Sequence, residues 1–319
     1  MRQVLNLRDA QQQAMGFMVR QASYIEPTVY KMVYRDIQYQ QLVPVDTTAP
    51  EWTPSVTYFS LDGYGRAEWF NAAANDMPKV GLTREKFETS VSMAGIGYGY
   101  DLDELGQAML MGINLSNDKA TLARRLAEEK VDRTVLGGDT SKGFQGLFGL
   151  STVTASTAPA DGASSATTFA SKDADKVLRD VNSVLTGIYT GSQGIEMADT
   201  IVMPYTVLLD LSTRRIGSDN ATMTILEWLE KNNIYTRTTG QPLTIRGVHG
   251  YADTAGASST KRLVAYRRDP SVLKFHMPMP FRFLPVWQTG PARFDVPGIM
   301  RLGGLDAKRP ASIRYLDGI

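Results

Sequence analysis

The spacing of apolar positions changes along the chain, and each change marks an element. Through residues 1–48 the apolar positions Met15, Phe17, Met18, Tyr24, Ile25, Val29, Tyr30 and Val33 follow no single period. Apolar surface without a core of its own needs a neighbour to cover it, which predicts an extended arm. From Trp52 to Phe59 the pattern alternates through Trp52, Val56 and Tyr58, as a strand does. A second alternation runs from Lys86 to Tyr100 through Phe87, Thr89, Val91 and Met93. The span between them, residues 61–82, carries Gly63, Gly65, Asn71, Asn75, Pro78 and Gly81. So long a turn-rich span is out of place inside a compact domain. It predicts a two-stranded loop projecting from the body, and because a lone hairpin is marginal in water, one that rests on another chain.

At Asp101 the period becomes helical. Asp101 with Glu104 makes a capping-box-like start, Leu102, Leu105 and Met109 form the stripe, and Gly112 and Asn114 interrupt it. Ser116 is predicted to cap a longer helix to about Leu136, with a ridge of Ala123, Ala127, Val131 and Val135 flanked by Leu122 and Leu126. About 20 residues make a rod of roughly 30 Å. Gly137-Gly138-Asp139 stops it, and the Ser-, Thr-, Ala- and Gly-rich stretch 151–168 predicts a linker or exposed loop. Ser171 is predicted to open a third helix carrying Val177, Leu178, Val181, Val184, Leu185 and Ile188. A short buried strand, Thr200 to Met203, ends at Pro204, and helices are predicted from Tyr205 to Thr213 and from Thr222 to Asn232. Short strands follow: Leu243 to Val248, Arg262 to Tyr266, Phe281 to Val286 and Ala311 to Tyr315. No internal repeat stands out, and the class is α+β.

Composition narrows the function. The chain has 319 residues, 43% hydrophobic and 21% charged, enough for a sizeable core. No apolar run approaches the roughly 20 residues of a membrane span, and Met1 to Ala10 has no apolar core of a secretory signal. The absence of cysteine excludes disulfides, thiolate catalysis and thiolate zinc sites. It suits a reducing compartment or a particle held by packing. A net charge of +1 argues against nucleic-acid binding by the whole surface. From Lys261 onward, however, 11 Lys and Arg stand against 4 Asp and Glu. That excess belongs either to solvated strand edges and subunit contacts or to a face turned to nucleic acid or an acidic partner, with Arg267 and Arg268 its candidate residues.

No catalytic constellation emerges. The two histidines, His249 and His276, lie apart in strand-like contexts and assemble no metal cluster, so no cofactor or metal is expected. Gly95-Ile-Gly97-Tyr-Gly99 has the wrong spacing for a dinucleotide fingerprint, and Gly137 to Gly143 lacks the Gly-Lys-Ser/Thr ending of a phosphate loop. There is no Gly-x-Ser-x-Gly elbow. Asp101, Asp103 and Glu104 are accounted for by a helix N-terminus. Trp69, Trp228 and Trp287 are scattered, as core or interface anchors are. The chain is expected not to be an enzyme.

The order of elements does carry a resemblance. Leu136-Gly-Gly-Asp139 followed by Gly146-Leu147 resembles the turn that closes the spine helix of tailed-bacteriophage major capsid proteins, whose Hong Kong 97-type fold is shared with encapsulins. Asp199-Thr-Ile-Val-Met-Pro204-Tyr-Thr-Val-Leu-Leu resembles that family's strand–Pro–helix passage, and Gly240-Gln-Pro-Leu243 to Val248 the next strand. Arg301-Leu-Gly-Gly-Leu to Arg309-Pro310 resembles its returning strand. The resemblance implies an N-terminal arm (1–48), an extended β-loop (49–97), a peripheral domain with the spine helix (98–150), an axial domain (151–290) and a return to the peripheral domain (291–319).

It also implies a shell of hexamers and pentamers of this chain around double-stranded DNA, in the virion, assembled in the bacterial host cytoplasm. The implied partners are a separate scaffolding protein, a portal, packaged DNA held non-specifically and a decoration protein in some shells, with no membrane involved. A scaffolding segment at the N-terminus of this chain is not expected. Candidate inter-subunit contacts are Tyr24, Tyr30, Arg66, Glu68, Trp69, Lys79 and Arg84. Some relatives crosslink Lys to Asn between subunits. Lys79 is suitably placed, but no asparagine follows Asn233, so no such crosslink is expected. The competing readings are an encapsulin-type cage, a tail-tube or sheath protein, and a soluble hydrolase with an unrecognised site.

Overall fold

The computed structural model describes residues 36–67, 69, 79–104, 115–216 and 223–319, with side chains from 118 onward in the long helix. The chain divides into two compact units, 1–36 and 37–319, and the fold below is that of the second. In chain order its elements are α1 (Tyr39–Leu42), β1 (Val45–Asp46), β2 (Ser55–Tyr64), β3 (Gly81–Ser90), β4 (Ser92–Gly95), β5 (Tyr98–Asp101) and the long α2 (Leu115–Leu136). Next come β6 (Gly138–Asp139), β7 (Phe144–Gln145), β8 (Thr154–Thr157), α3 (Ala174–Gly191), β9 (Thr200–Pro204), α4 (Tyr205–Thr213), α5 (Ile225–Asn232) and α6 (Ile234–Thr239). The remaining strands are β10 (Thr244–Val248), β11 (Arg262–Tyr266), β12 (Leu273–His276), β13 (Met279–Phe283), β14 (Trp287–Gly290), β15 (Arg293–Val296), β16 (Gly298–Leu302), β17 (Leu305–Ala307) and β18 (Ile313–Asp317).

A five-stranded sheet, in the order β10-β9-β11-β18-β8, separates two cores. Alternation along its strands assigns each side chain to one of them. Ile201, Met203, Leu263, Ala265 and Leu316 pack against Val177, Val181, Val184, Leu185 and Ile188 of α3, Leu211 of α4 and Leu229 of α5. Val202, Val264, Tyr266, Ile313 and Tyr315 face the other way, onto Val131, Val135 and Leu136 of α2, Tyr39 and Leu42 of α1, and Leu147 and Phe148. A strand covered on both faces reads as a continuous apolar run, and all five residues of β9 are buried. Pro204 ends it, having no N–H to offer a ladder and a φ of −55° suited to starting α4.

Three small sheets make up the other half: β1-β12-β17, β13-β16-β4 and β14-β15-β5. Here the glycine run acquires its reason. A Cβ on Gly95 would lie 2.5 Å from the Gly298 carbonyl oxygen, and one on Gly97 2.7 Å from that of Val296. β4 and β5 pair with β16 and β15 in their sheets, and at Gly95 and Gly97 the neighbouring backbones approach too closely for side chains, so these glycines form a packing seam. The turn after α2 is tight for a similar reason. Gly138 adopts φ +82° with the Phe144 oxygen 2.6 Å from a would-be Cβ, and a Cβ on Gly146 would meet the Gly138 nitrogen and Leu136 oxygen at 2.4 Å. Asp139 fastens this turn by accepting from Lys130 Nζ at 2.6 Å and from the Ser141 N–H at 3.1 Å.

Several expectations are corrected. Asp101 ends β5 and directly precedes the helical residues that begin at Leu102, where the helix start was expected; their continuation lies outside the described residues. Ser116 falls inside α2, which spans Leu115–Leu136. The α2 ridge Ala123, Ala127, Val131 and Val135 is buried as predicted, but Leu122 and Leu126 are exposed. Ser171 belongs to a 3-10 turn, Phe169–Ser171, and α3 starts at Ala174 after Asp173. The supposed linker contains β8, paired in parallel with β18. The helix placed at Thr222 starts at Ile225, with Thr224 accepting from the Glu227 N–H at 3.3 Å. Buried Asn233 ends α5 and caps α6, which sequence reading missed.

A repeat exists after all. Gly162-Ala-Ser-Ser-Ala166 and Gly256-Ala-Ser-Ser-Thr260 form the same turn, with the first serine of each at φ 56° and the second at φ 58°. Strand pairing also crosses the segment boundaries. Residues 273–290 pair with strands of 293–307, whereas β18 joins the sheet of 154–266.

Candidate assembly surfaces

The feature that stands away from the core is the β2–β3 hairpin. Its ten residue pairs run from Ser55 opposite Ser90 to Tyr64 opposite Gly81. Tyr58 and Phe87 stack across it with centroids 5.1 Å apart, the cross-strand aromatic pair that stabilises such ribbons. Beyond that pair the apolar side chains lie open: Phe59, Leu61, Tyr64, Val80 and Leu82 are each more than half exposed, Val80 by 79%. Single exposed apolar residues mean little, but a contiguous set on a thin ribbon is a surface awaiting a partner. A second exposed group, Leu284, Val286 and Trp287, lies around the start of β14.

The hairpin is tied to the body at its root. The Val91 N–H donates to the Pro54 carbonyl at 2.9 Å, and Lys308 Nζ lies 5.3 Å from the Tyr58 ring centre. Just before it, Arg282 pairs with Glu51 at 2.9 Å, Arg301 donates to the Glu51 carbonyl at 2.9 Å, and the Arg301 guanidinium lies 5.7 Å from the Trp52 ring centre.

The chain leading to that root is held by a four-residue helix that sequence reading missed. Buried Asp132 of α2 accepts from the backbone N–H groups of Gln38 and Tyr39, at 3.0 and 2.9 Å. It therefore acts as the N-terminal cap of α1 from 93 residues away. At the other end, Arg268 donates to the Gln40 carbonyl at 2.9 Å, Tyr266 to the Leu42 carbonyl at 2.7 Å, and Arg246 to the Gln41 side chain at 2.7 Å. A rivet of one helical turn thus joins the long helix to the central sheet.

Arg66, Trp69 and Lys79 lie beyond the paired strands and are exposed, with Trp69 fully so. Arg84 is exposed on β3 opposite Leu61. Tyr24, Tyr30 and Glu68 lie outside the described residues. Arg267 and Arg268 are engaged within the subunit. Arg267 pairs with the buried carboxylate of Glu196 at 2.5 Å, and Arg309 pairs with the other oxygen of the same group. The basic excess after Lys261 is also met by acids from distant segments, with Lys274 on Asp46 and Arg282 on Glu51, and by Asp317, which binds Arg262 through both oxygens at 2.7 and 2.9 Å.

Elsewhere the polar chemistry reads as fastening. Lys172, wholly buried, pairs with Asp180 at 2.6 Å, and Arg214 collects the carbonyls of Phe169, Ala170 and Lys172. No group of three or more potential metal ligands occurs among the described residues, nor is any described helix long and apolar enough to cross a membrane.

These features can be set beside known proteins. The fold superimposes on the capsid of Myoviridae phage XM1 with a TM-score of 0.77 and 21% identity, covering 94% of this chain and 98% of that one. It is also similar to the capsid of a native GTA particle (TM-score 0.62, 11% identity, 92% and 94% covered). For Mycobacterium phage Adephagia the TM-score is 0.61, with 10% identity and 92% and 94% covered. No curated protein sequence matches. The architecture is the Hong Kong 97-type capsid fold. The sequence profile of the Major capsid protein family matches residues 65–319, and the chain belongs to that family, whose members build the phage shell.

Proposed function

We propose that this major capsid protein builds an icosahedral shell around double-stranded DNA, with the β2–β3 hairpin and the N-terminal arm laid on neighbouring subunits. The observation that carries the proposal is the hairpin itself, whose apolar residues Phe59, Leu61, Tyr64, Val80 and Leu82 lie exposed. Hexamers and pentamers would repeat each modest contact by symmetry, so that weak individual interfaces sum to a stable particle.

The proposed segments follow the strand pairing, except that β1 of the arm and β4 of the loop pair with β12 and β16 of the body. Residues 1–48 act as the arm and 49–97 as the extended loop. Residues 98–150 with about 273–307 form the peripheral domain. Residues 151–272 with the closing strand β18 form the axial domain. Arg66, Trp69, Lys79 and Arg84, with Tyr24, Tyr30 and Glu68, are proposed to meet adjacent subunits. A separate scaffolding protein, a portal, packaged DNA and, in some shells, a decoration protein are the proposed partners, and assembly takes place in the host cytoplasm. The shell is proposed to have no enzymatic role and to be held by contacts alone.

The double variant Leu61→Lys/Leu82→Lys tests the hairpin's role. It is expected to leave the folded subunit's melting temperature within about 2 °C, because both side chains are already in water, yet to abolish shells in electron micrographs. Normal shells from the variant would refute the proposal.

A further inference from the structure

Gly95, Gly97 and Gly99 put bare backbone where β4 gives way to β5. With Gly298 they line an open groove of about 640 Å³, which is also bounded by Trp287 of β14 and Asp295 of β15. Register sets Trp287, Asp295 and Gly99 side by side in one row across the β14-β15-β5 sheet. The Asp295 carboxylate leans over Gly99, in the space that a Cβ there would take. Trp287 is 68% exposed, and Val286 beside it 54%. An exposed tryptophan next to bare backbone suits the apolar side chains of another chain. The groove also has an acidic side. Asp295 meets Arg293 only at 3.8 Å, a loose surface pair, and Asp101 stands directly opposite that arginine in the ladder.

The β2–β3 hairpin carries the matching chemistry on one of its faces. Residues opposite each other across an antiparallel pair share a face, and neighbours along a strand point apart. Register therefore groups Phe59 with Lys86, Leu61 with Arg84 and Gly63 with Leu82 on one face. Ser60 with Glu85 and Asp62 with Thr83 fall on the other. The first face is apolar and basic, with Phe59, Leu61 and Leu82 each more than half exposed. The second is polar and acidic. Lys86 pairs with Glu88 on its own face at 2.8 Å, whereas no ion pair among the described residues holds Arg84.

We propose that the glycine-lined groove receives the apolar, basic face of the hairpin from a second copy of this chain, with Leu61 against Trp287 and Arg84 on Asp295. The inference rests on the assembly reading above and adds to it the receiving surface and the face that docks. Charge selects the face. The acidic side, with Asp62 and Glu85, would set like charges against Asp295 and Asp101, and is turned away. The glycines set the depth, because side chains at 95, 97 and 99 would occupy space that the ribbon enters. The contact joins a different patch on each copy. Such a heterologous interface passes from subunit to subunit and closes into a ring.

The chain contains no cysteine, so a disulfide between two introduced sites reports a single contact. Leu61→Cys and Trp287→Cys are combined in the full chain, shells are assembled and oxidised, and the products are run on a non-reducing gel. A disulfide needs Cα atoms within about 7 Å. Ladders of linked subunits are expected, and none from Asp62→Cys combined with Trp287→Cys. Should the paired variant not assemble, shells of natural chain doped with both single variants are read instead, and a linked dimer is expected only when both are present. Charge supplies a second readout. Asp295→Lys is expected to lower shell yield about tenfold or more, and Arg84→Asp in the same chain to restore it. Shells without the Leu61–Trp287 link, an internally bridged monomer, a ladder through Asp62→Cys, or no recovery in the exchanged pair would overturn the groove and leave the assembly reading in place. A natural chain that forms no shells would overturn both.

Discussion

Asp317 sits at the end of the central sheet with both oxygens on Arg262 and one also accepting from the Ala257 N–H at 3.0 Å. Burial pushes its carboxyl up, but the bonds from Arg262 and Ala257 prevail and hold it below the ordinary carboxylate range. A depressed carboxylate contributes stability that is present above an unfolded value of about 4 and lost as pH falls toward the folded one. Asp317→Asn is therefore expected to cost about 3 kcal/mol in urea unfolding at pH 7 and to flatten the loss of stability below about pH 4. Glu196 offers a parallel case, because its buried carboxylate holds both Arg267 and Arg309. Arg267→Ala should weaken the folded subunit by about 2 kcal/mol, measured in the same way. An unchanged midpoint would return Arg267 to the DNA-facing role that the basic run suggested. Sequence reading could count the basic residues after Lys261 but could not see Asp46, Glu51 and Glu196 waiting for them, because each partner lies in a remote segment.

Among the elements, those whose reason is local were legible. The run Thr200–Pro204, helix Tyr205–Thr213 and strand Arg262–Tyr266 lie where apolar runs, the proline and helical spacing put them. Elements whose reason is distant were not. Thr154–Thr157 is polar and short, and becomes a strand through its parallel pairing with Arg314–Asp317. Tyr39–Leu42 is far too short to be stable alone, and exists because Asp132, Tyr266 and Arg268 satisfy its ends. The hairpin was legible as a ribbon, since its alternation and its turn-rich middle are both in the sequence, but the contacts of Glu51 with Arg282 and Arg301 at its root were not. The glycine seam provides a test at this scale. Gly97→Ala would push a Cβ to 2.7 Å from the Val296 oxygen and 3.0 Å from the Pro297 Cα. Because both are backbone atoms, a loss of about 1–3 kcal/mol is expected in urea unfolding. A neutral result would mean that the chain between β4 and β5 can move away from the neighbouring strands β15 and β16.

Across the whole molecule, a two-faced sheet with a core on each side gives a rigid body, while the hairpin remains uncovered. On the proposed assembly, the body carries the subunit's own stability and the hairpin gains its contacts from neighbours. Lys79 is exposed beyond the paired strands, and the chain contains no asparagine after Asn233. Boiled particles are accordingly expected to run as monomers on a denaturing gel, and covalent ladders would contradict a shell held by contacts alone. The most direct measurement is electron microscopy of the chain expressed with the proposed scaffolding protein. Closed icosahedral shells whose reconstruction places Ser55–Tyr64 and Gly81–Ser90 on an adjacent subunit are the predicted result. Persistent monomers, filaments, or shells in which that hairpin touches only its own subunit would contradict it.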